Sequence, residues 1–355
     1  MTVIDGLEAM LGGNTPEGRE GLARALGVVI EDSATLVGSE RFGGRVWRLR
    51  FATAGETRSL IAKQLDPVVA HRNRMVAVRW LPAAGLAALR PDLLASATEA
   101  CGERVWQIFE DLGDHGLDRS EHDTEFVHAA VEAIAGLHLS FANHPLLGEC
   151  RLWGGDLGMP FYVGNARDGL RAVEALVPPA VELPPRSAAA RGRLLSQLSA
   201  LLDEADERGR ALEELGGPET LVHGDLWTKN VFTMATASVP RVCLIDWDHA
   251  AVARLSYDLS TFLIRFPVAR RSEILSQYRE AVSRHGWRLP GTAELNDLFD
   301  TAERARIASR VVWPALALLR GEASLREWAL DALAEISAWF EALEPVLPAQ
   351  PSAVA

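Results

Sequence analysis

The sequence predicts an α+β protein of two lobes, a small antiparallel β-sheet lobe followed by a larger and mainly helical lobe. Three observations support this fold class. The 355 residues suit roughly two domains of about 150 residues each. Apolar and polar residues alternate over 35–65, and apolar residues recur at helical spacing through most of the chain after 115. We assign 1–108 to the N-terminal lobe, 109–114 to a hinge and 115–355 to the C-terminal lobe.

The N-terminal lobe is predicted to begin with a short helix and to continue as antiparallel strands. Thr15 is a suitable N-cap, Pro16 suits the first helical position, and Gly27 marks the end of the helix. The strands then alternate between two faces. One face carries Trp47, Leu49 and Phe51, and the other carries Arg48 and Arg50.

Glycine-rich turns separate these strands. The first turn contains Gly38, Gly43 and Gly44, and the second covers 54–56. A helical pattern over 71–89 and an apolar strand within 104–113 complete the predicted lobe. The acidic turn that ends this last strand is the predicted hinge.

The C-terminal lobe is predicted to be helical, with one short β-hairpin and a Pro-rich loop over 177–190. Two apolar segments, 220–226 and 241–247, are expected to pair as the strands of that hairpin, with 233–240 as the turn. The helices are indicated by apolar residues at helical spacing. These are Phe126, Val127, Ala130, Ile134 and Leu137, and later Leu325, Trp328, Ile336, Trp339 and Leu343.

Composition excludes several classes of protein. With 48% hydrophobic and 24% charged residues, the chain can bury a core of ordinary size. The formal charge of -12 is the wrong sign for binding along nucleic acid. Three distant cysteines fit neither a disulfide framework nor a Cys-x-x-Cys site. The N-terminal segment lacks the basic region of a secretory signal, and no apolar run is long enough to span a membrane. We therefore expect a cytoplasmic protein without a nucleic-acid or membrane partner.

Lysine is rare in this chain. The 36 basic residues include only two lysines, Lys63 and Lys229. A compact ammonium differs from a planar guanidinium in shape, hydration and bonding. Both lysines are therefore candidates for a functional role, with chance placement as the alternative.

The most specific motif lies in the segment LVHGDLWTKNVF. His223, Asp225 and Asn230 follow the spacing H-x-D-x-x-x-x-N, and an apolar run then ends in Asp246. This spacing resembles a kinase catalytic loop followed by the metal-binding acid of a kinase. Phosphoryl transfer needs a carboxylate that accepts the proton of the acceptor hydroxyl and oxygen ligands that hold Mg²⁺ on the nucleotide phosphates. The alternative interpretation is that the acids occupy turns and that Asn230 is a cap.

Two upstream features fit the same chemistry. Lys63 lies in the strand SLIAKQL, where its ammonium could contact nucleotide phosphates. The turn with Gly43 and Gly44 would let backbone N–H groups approach those phosphates, although it lacks the spacing G-x-G-x-x-G and is weak evidence alone. No Walker motif occurs in the sequence.

On these motifs, together with the later segment Tyr257–Ser260, the chain resembles the aminoglycoside phosphotransferase and choline kinase superfamily, which has a two-lobed protein-kinase-like fold. The resemblance implies a catalytic base at Asp225 and Mg²⁺ ligands at Asn230 and Asp246. It also implies phosphate contacts from Lys63 and ATP or GTP as cosubstrate. The remaining implied site residues are Glu110 and Leu112 as adenine contacts of the hinge, and His223 and Asp258 as supports of the catalytic loop. Lys229, next to Asn230, is a candidate phosphate contact, with a solvated side chain as the alternative. Trp227 is a candidate acceptor contact, with core packing as the alternative.

One feature departs from the family pattern. Family members usually carry a glutamate on the helix of the first lobe that pairs with the strand lysine, but no acid occurs between Asp66 and Asp92. Arg72 and Asn73 stand in the region where that glutamate is expected. Lys63 must therefore find another partner or contact the phosphates alone.

Three functional hypotheses follow. The first is a small-molecule kinase that phosphorylates a hydroxyl of an amino sugar, aminoglycoside, sugar or related metabolite, in antibiotic resistance or biosynthesis. The net charge favours a cationic acceptor. The second is a pseudokinase or nucleotide-binding regulator, which the missing glutamate would explain. The third, a protein kinase, is disfavoured because the chain after Asp246 has no A-P-E segment and is too short for an activation loop before Asp258.

Overall fold

The computed structural model describes residues 16–31, 33–53, 55–119 and 123–348. Contacts divide the chain into two compact units. Unit 1 comprises the described residues up to Ala133 together with Thr228–Ala250, and unit 2 comprises Ile134–Trp227 with the described residues from Ala251 onward. The lobe boundaries set at 108 and 115 remain predictions, and the predicted N-cap Thr15 lies outside the described residues.

Helices and strands alternate in the first part of the chain, and helices dominate the rest. The helices are α1 (Pro16–Leu26), α2 (Pro67–Met75), α3 (Leu81–Ala83), α4 (Thr124–Phe141), α5 (Leu147–Gly154), α6 (Met159–Glu174), α7 (Pro185–Asp203), α8 (Ala205–Leu215), α9 (Ser256–Ile264), α10 (Val268–Ser283), α11 (Thr292–Leu319) and α12 (Arg326–Ala342). The strands are β1 (Thr35–Gly43), β2 (Val46–Ala52), β3 (Thr57–Leu65), β4 (Leu93–Thr98), β5 (Val105–Glu110), β6 (Glu219–Val222), β7 (Val231–Met234), β8 (Arg241–Leu244) and β9 (Ala251–Arg254). This α+β content confirms the predicted fold class.

Unit 1 is built on a five-stranded antiparallel sheet with the order β1-β2-β3-β5-β4. The predicted alternation in β2 places Trp47, Leu49 and Phe51 on one face, and all three are buried. Helix α1 covers this face and buries Leu22 and Leu26 in the same core. Each such large apolar side chain contributes about 1.5–3 kcal/mol by leaving water.

A glycine permits the close approach of α1 to the sheet. A Cβ at Gly21 would stand 3.0 Å from Cδ1 of Trp106, a fully buried residue of β5. A larger residue would force the helix away from the strand, because packed interiors have little room to adjust.

Strand β4 was not predicted from the sequence. Its segment, Leu-Leu-Ala-Ser-Ala-Thr, is only partly buried and forms an edge of the sheet. Two helix starts also lie earlier than expected, because a proline occupies the first turn in each. Helix α2 begins at Pro67, and α7 begins at Pro185 inside the predicted loop over 177–190.

The predicted hairpin between 220–226 and 241–247 is wrong. Strand β8 pairs with β7, whereas β6 pairs with β9. The apolar pattern identified strand segments correctly but could not identify their partners. The short connection between β7 and β8 favours their local pairing because little chain entropy is lost in closing it. The loop that carries the predicted catalytic residues therefore joins two different small sheets.

Unit 2 is mainly helical, in agreement with the prediction. Its main core lies among α6, α7, α11 and α12 and includes Tyr162, Leu198, Val311 and Phe340. Ser260 of α9 donates to Glu303 of α11, so those two helices are joined by a polar contact as well. None of the described helices is both long enough and apolar enough to cross a membrane.

Candidate active site

Unit 1 contains a cavity of about 450 Å³ that brings several predicted site residues together. Lys63 of β3, Asn230 and Asp246 supply a polar wall. Val46 of β2 and Ile61 of β3 belong to the apolar part of the lining. A mostly apolar pocket with a few convergent polar groups is the usual form of a small-molecule site.

Asp246 lies directly beyond β8, in an unusual backbone conformation. Its φ of 66° is in the left-handed region, which a residue other than glycine seldom adopts. The preceding Ile245 donates its N–H to the carbonyl oxygen of Asn230 across 2.9 Å, so this connection lies beside the turn that carries Asn230. A carboxylate and an amide oxygen on one cavity are the hard oxygen ligands that Mg²⁺ accepts. These residue types fit the metal that the family resemblance implies.

Lys63 is held by two carboxylates. Its Nζ lies 2.6 Å from Oδ1 of Asp246 and 3.1 Å from Oδ1 of Asp248. Burial alone would lower the pKa of this ammonium, but the two negative charges outweigh burial and raise the pKa above its ordinary value. Lys63 is therefore a fixed cation in the cavity wall.

Asp248 supplies the acidic partner of Lys63 that helix α2 lacks. Asn73 of α2 donates its Nδ2 to Oδ1 of Asp248 across 2.7 Å, and Arg72 donates to the carbonyl oxygen of Asp248. The helix is thus linked to Lys63 through an intervening acid that lies in the short 3₁₀ turn Trp247–His249. The family pattern would place the acid on the helix itself. Here the acid is contributed by the segment after Asp246.

The predicted hinge lines the same cavity and is anchored by a buried arginine. Glu110 and Leu112 both contribute to the lining. Nε of Arg48 lies 2.7 Å from Asp111 Oδ2, and its Nη2 lies 3.0 Å from Asp114 Oδ1. Burial would raise the pKa of Asp111, but hydrogen bonds from Ser59, Gly113 and Arg48, together with the charge of Arg48, hold it below its ordinary value.

The turn that contains Gly43 and Gly44 adjoins the cavity, whereas Lys229 is one of the lining residues. Gly43 and Gly44 both have positive φ values, 104° and 50°, as their tight turn requires. Their neighbours Phe42 and Val46 are among the lining residues. Lys229 is exposed and belongs to the lining directly.

Unit 2 holds the predicted catalytic base and its supports. Asp258, at the start of α9, accepts the backbone N–H of His223 on Oδ2 at 2.6 Å and the N–H of Gly224 on Oδ1 at 2.9 Å. The ring Nδ1 of His223 accepts the backbone N–H of Asp225 at 3.3 Å. Asp258 and His223 therefore fix the backbone on which the partly exposed Asp225 is carried.

A buried histidine supports Asp258 from the other side. His138 Nε2 lies 3.4 Å from Asp258 Oδ2, and its Nδ1 lies 2.8 Å from the hydroxyl of Tyr278. Burial would raise the pKa of Asp258. The hydrogen bond and charge of His138, with contributions from His223, reverse this effect and hold the pKa below its ordinary value.

The aromatic candidates differ in exposure. Trp247 is buried. Trp227 is only partly buried, and the guanidinium carbon of Arg265 lies 3.4 Å from its ring centroid. Trp313 is 58% exposed.

Asp248, Arg48 and Arg265 were missed as site residues. The sequence offered one signal, since Asp248 follows Asp246 by two residues and the expected acid was absent elsewhere. Arg48 alternates with apolar residues in β2, a pattern that indicates a solvent-facing side chain, yet it is only 6% exposed. Its burial depends on acids more than sixty residues away in sequence, and such a distant pairing leaves no local pattern.

The family match decides the class of the protein. The sequence profile of the phosphotransferase enzyme family, APH, matches residues 30–298. The chain belongs to this family. It is therefore a small-molecule phosphotransferase, as the resemblance of its motifs predicted. A search of curated proteins found no match.

Several solved structures share the fold of this chain at low sequence identity. An ethanolamine kinase of Plasmodium vivax is 14% identical, with 88% of this chain and 83% of that chain covered and a TM-score of 0.56. A macrolide 2'-phosphotransferase of Brachybacterium faecium is 20% identical, with 92% and 98% covered and a TM-score of 0.51. An aminoglycoside phosphotransferase of Streptomyces rimosus, in complex with ADP and streptomycin, is 17% identical, with 83% and 98% covered and a TM-score of 0.51. These similarities show that the chain shares its fold with these kinases and phosphotransferases.

Proposed function

We propose that the protein transfers the γ-phosphoryl group of ATP or GTP to a hydroxyl group of a sugar, an amino sugar or a related metabolite. The observation that carries the proposal is the cavity of unit 1, which is lined by Lys63, Asn230, Asp246 and the hinge residues. Its volume of about 450 Å³ suits a nucleotide-sized ligand. Its apolar part would receive the base, and its polar wall would receive the phosphates.

Each polar residue has a distinct role in this proposal. Asn230 and Asp246 would hold Mg²⁺, which neutralises charge on the nucleotide phosphates when it is bound. Lys63 contributes a fixed ammonium for the phosphates, since Asp246 and Asp248 keep it protonated and oriented. Backbone groups of Glu110 and Leu112 would recognise the base. Lys229, which is one of the residues that line the cavity, is proposed as a further phosphate contact.

Asp225 is the proposed base of the transfer. Its carboxylate accepts the proton of the acceptor hydroxyl while that oxygen forms a bond to the γ-phosphorus. The bond between the γ-phosphorus and the bridging oxygen breaks, and the nucleoside diphosphate leaves with the electron pair. His223 and Asp258 contribute by fixing the backbone of the loop. Positioning and electrostatic stabilisation supply most of the rate acceleration in such transfers.

The proposal is tested by ADP release from Mg-ATP with pooled aminoglycosides, amino sugars, sugars, nucleosides and amino alcohols. Asp225→Asn is assayed in parallel, and nucleotide binding to both proteins is measured by calorimetry. We expect turnover with at least one pool, a loss of about 10²–10⁴-fold in the variant, and equal nucleotide binding. Nucleotide binding without turnover on any pool would instead support the regulator. Absence of nucleotide binding would contradict both.

A further inference from the structure

A stacked arginine distinguishes the surface of unit 2 around Asp225. Arg265 directly follows α9, and its guanidinium carbon lies 3.4 Å from the centroid of the Trp227 ring. The backbone N–H of Trp227 donates to the carbonyl oxygen of Asp225 across 2.8 Å. The tryptophan and its stacked cation are therefore anchored to the same loop as the proposed base. Stacking on an aromatic face orients a guanidinium while leaving its N–H groups available.

The charge of Arg265 is not matched by an ion pair within the part of the chain that the structure describes. The residue is exposed, and its side chain makes no hydrogen bond to described residues. The charged groups that act on it electrostatically are Glu303, Arg306, Asp225 and Arg310. Burial is the main influence that lowers the pKa of Arg265, and the two neighbouring arginines lower it further against the opposing effects of Glu303 and Asp225.

Glu303 does not compensate this positive charge, because it is already paired. It contacts Arg306 directly and accepts a hydrogen bond from Ser260 at 2.7 Å. The side chains of Glu303 and Arg306 are only 7% and 11% exposed. Arg306 also donates to the carbonyl oxygen of Tyr257 across 2.9 Å. The pair is thus an internal structural element, and its charges cancel.

A second exposed arginine lies on the same face of α11. Arg310 is four residues beyond Arg306, and Trp313 follows it by three, so these side chains project from one side of the helix. Arg310 is exposed and forms no ion pair among the described residues. Once the Glu303–Arg306 pair has cancelled, the guanidinium groups of Arg265 and Arg310 outnumber the carboxylate of Asp225 among the charges that act on Arg265. This local charge is opposite in sign to the net charge of -12. Trp227, under Arg265, is partly buried, and Trp313 is exposed.

We propose that the acceptor of the phosphotransferase carries an anionic group, a carboxylate or a phosphate, and that Arg265 and Arg310 bind it beside Asp225. This inference rests on the proposed function and narrows its substrate class. Guanidinium groups bind carboxylate and phosphate oxygens through paired N–H donors, and they disfavour a cationic ligand by repulsion. The proposed anionic acceptor replaces the cationic acceptor that the net charge favoured. Net charge affects solubility and the rate of association, whereas the residues at a site determine which ligand it binds.

The first test compares acceptors that differ only in charge. ADP release is measured with neutral, amino, carboxylate and phosphate members of matched hexose, glycerol and nucleoside series. We expect the anionic members to be preferred at least tenfold in kcat/KM, with the carboxylate and phosphate arms distinguishing the two sources of charge. Equal or better turnover of neutral or amino members would overturn the inference. If the turnover of neutral or amino members is still lost in Asp225→Asn, the proposed function would stand and only the inference about an anionic acceptor would fail.

Variants then assign the preference to the arginines. Arg265→Gln and Arg310→Gln should each raise the KM of the preferred acceptor about tenfold and leave the KM of the nucleotide unchanged. Arg265→Lys should recover part of the loss in Arg265→Gln, since charge returns without the fork geometry. Arg320→Gln removes an exposed charge from the end of α11 and serves as the matched control. An unchanged acceptor KM in both arginine variants would overturn the inference.

A second measurement needs no acceptor. Iodide and acrylamide are compared as quenchers of tryptophan fluorescence, and the signals of Trp227 and Trp313 are isolated by subtraction with Trp227→Phe and Trp313→Phe. Removal of both arginines should at least halve the iodide quenching constant of these two residues and leave acrylamide quenching unchanged. Equal iodide quenching in the wild type and the double variant would contradict the inference, even if no panel member is turned over.

Discussion

Nζ of Lys63 lies 3.1 Å from Oδ1 of Asp248, and the same oxygen accepts a hydrogen bond from Asn73 of the neighbouring helix at 2.7 Å. One carboxylate oxygen of Asp248 therefore connects helix α2 with Lys63 of β3. The expected glutamate on the helix would make this connection directly. In this chain the helix instead provides an amide donor, and the acid is supplied by the turn after β8.

Asp248→Asn should impair nucleotide use. The amide cannot balance the Lys63 ammonium, so we expect kcat/KM for the nucleotide to fall about 10- to 100-fold, the usual cost of losing an outer-shell partner. Asp248→Glu should restore part of the activity because it restores the charge. The measurement is steady-state kinetics at varied nucleotide concentration.

Glu56→Gln is the matched control for this prediction, since it removes an exposed acid from a turn of the same unit. A purely structural role for Asp248 would lower the amount of folded enzyme without changing the KM of the nucleotide. That outcome, or equal activity of Asp248→Asn and Asp248→Glu, would contradict the anchoring role.

Asp246→Asn should remove the Mg²⁺ dependence of nucleotide binding. In the wild type we expect Mg²⁺ to tighten binding, because Asn230 and Asp246 contribute oxygen ligands at one cavity. The variant should bind nucleotide with similar affinity in Mg²⁺ and in EDTA. Isothermal calorimetry measures both conditions, and Asp66→Asn removes a largely exposed carboxylate as the control. Retention of full Mg²⁺ dependence would exclude Asp246 as a ligand.

Asp258→Asn should destabilise the protein at neutral pH. The buried carboxylate accepts two backbone N–H groups, whereas an amide can offer only one oxygen to them. We expect the free energy of unfolding to fall by about 3 kcal/mol. Urea unfolding measures this change, with exposed Asp331→Asn on α12 as the control.

The loss of unfolding free energy in Asp258→Asn should become smaller as the pH falls. The folded-state pKa of Asp258 is lowered, so its ionisation stabilises the fold fully above the unfolded-state value of about 3.9. That contribution is lost as pH falls through the folded-state pKa. The difference between wild type and Asp258→Asn should therefore be constant above about pH 5 and shrink below about pH 4. A difference that grows on acidification would contradict this assignment.

Arg48 and Asp111 should behave as a coupled pair. Both side chains are 7% exposed, so removal of either partner leaves a buried charge. Arg48→Met and Asp111→Asn should each lower the free energy of unfolding by about 3 kcal/mol, and the double variant should lose at least about 1 kcal/mol less than the sum. The exposed pair Arg284 and Glu280 provides the comparison cycle, in which we expect coupling below about 1 kcal/mol. Additive losses for Arg48 and Asp111 would contradict the pairing.

Local patterns predicted much of the fold. The alternation in β2 places Trp47, Leu49 and Phe51 in the core, and helical spacing predicts α4, in which Val127 and Ile134 are buried. Strand partners were less accessible to prediction. The segments of β6 and β8 have the same apolar character, but pairing depends on chain connectivity and on residues distant in sequence.

The motif that contains His223, Asp225 and Asn230 identifies the chemistry because a few residue types at short, regular spacing are enough to specify it. Which side chains contact these residues was decided by the tertiary structure. Lys63 and Asp248 are separated by 185 residues, and Arg265 reaches Trp227 only after the chain has folded back through β9 and α9. Local sequence records backbone propensity and the periodicity of burial, whereas the pairing of charges depends on which surfaces the fold brings within a few ångströms.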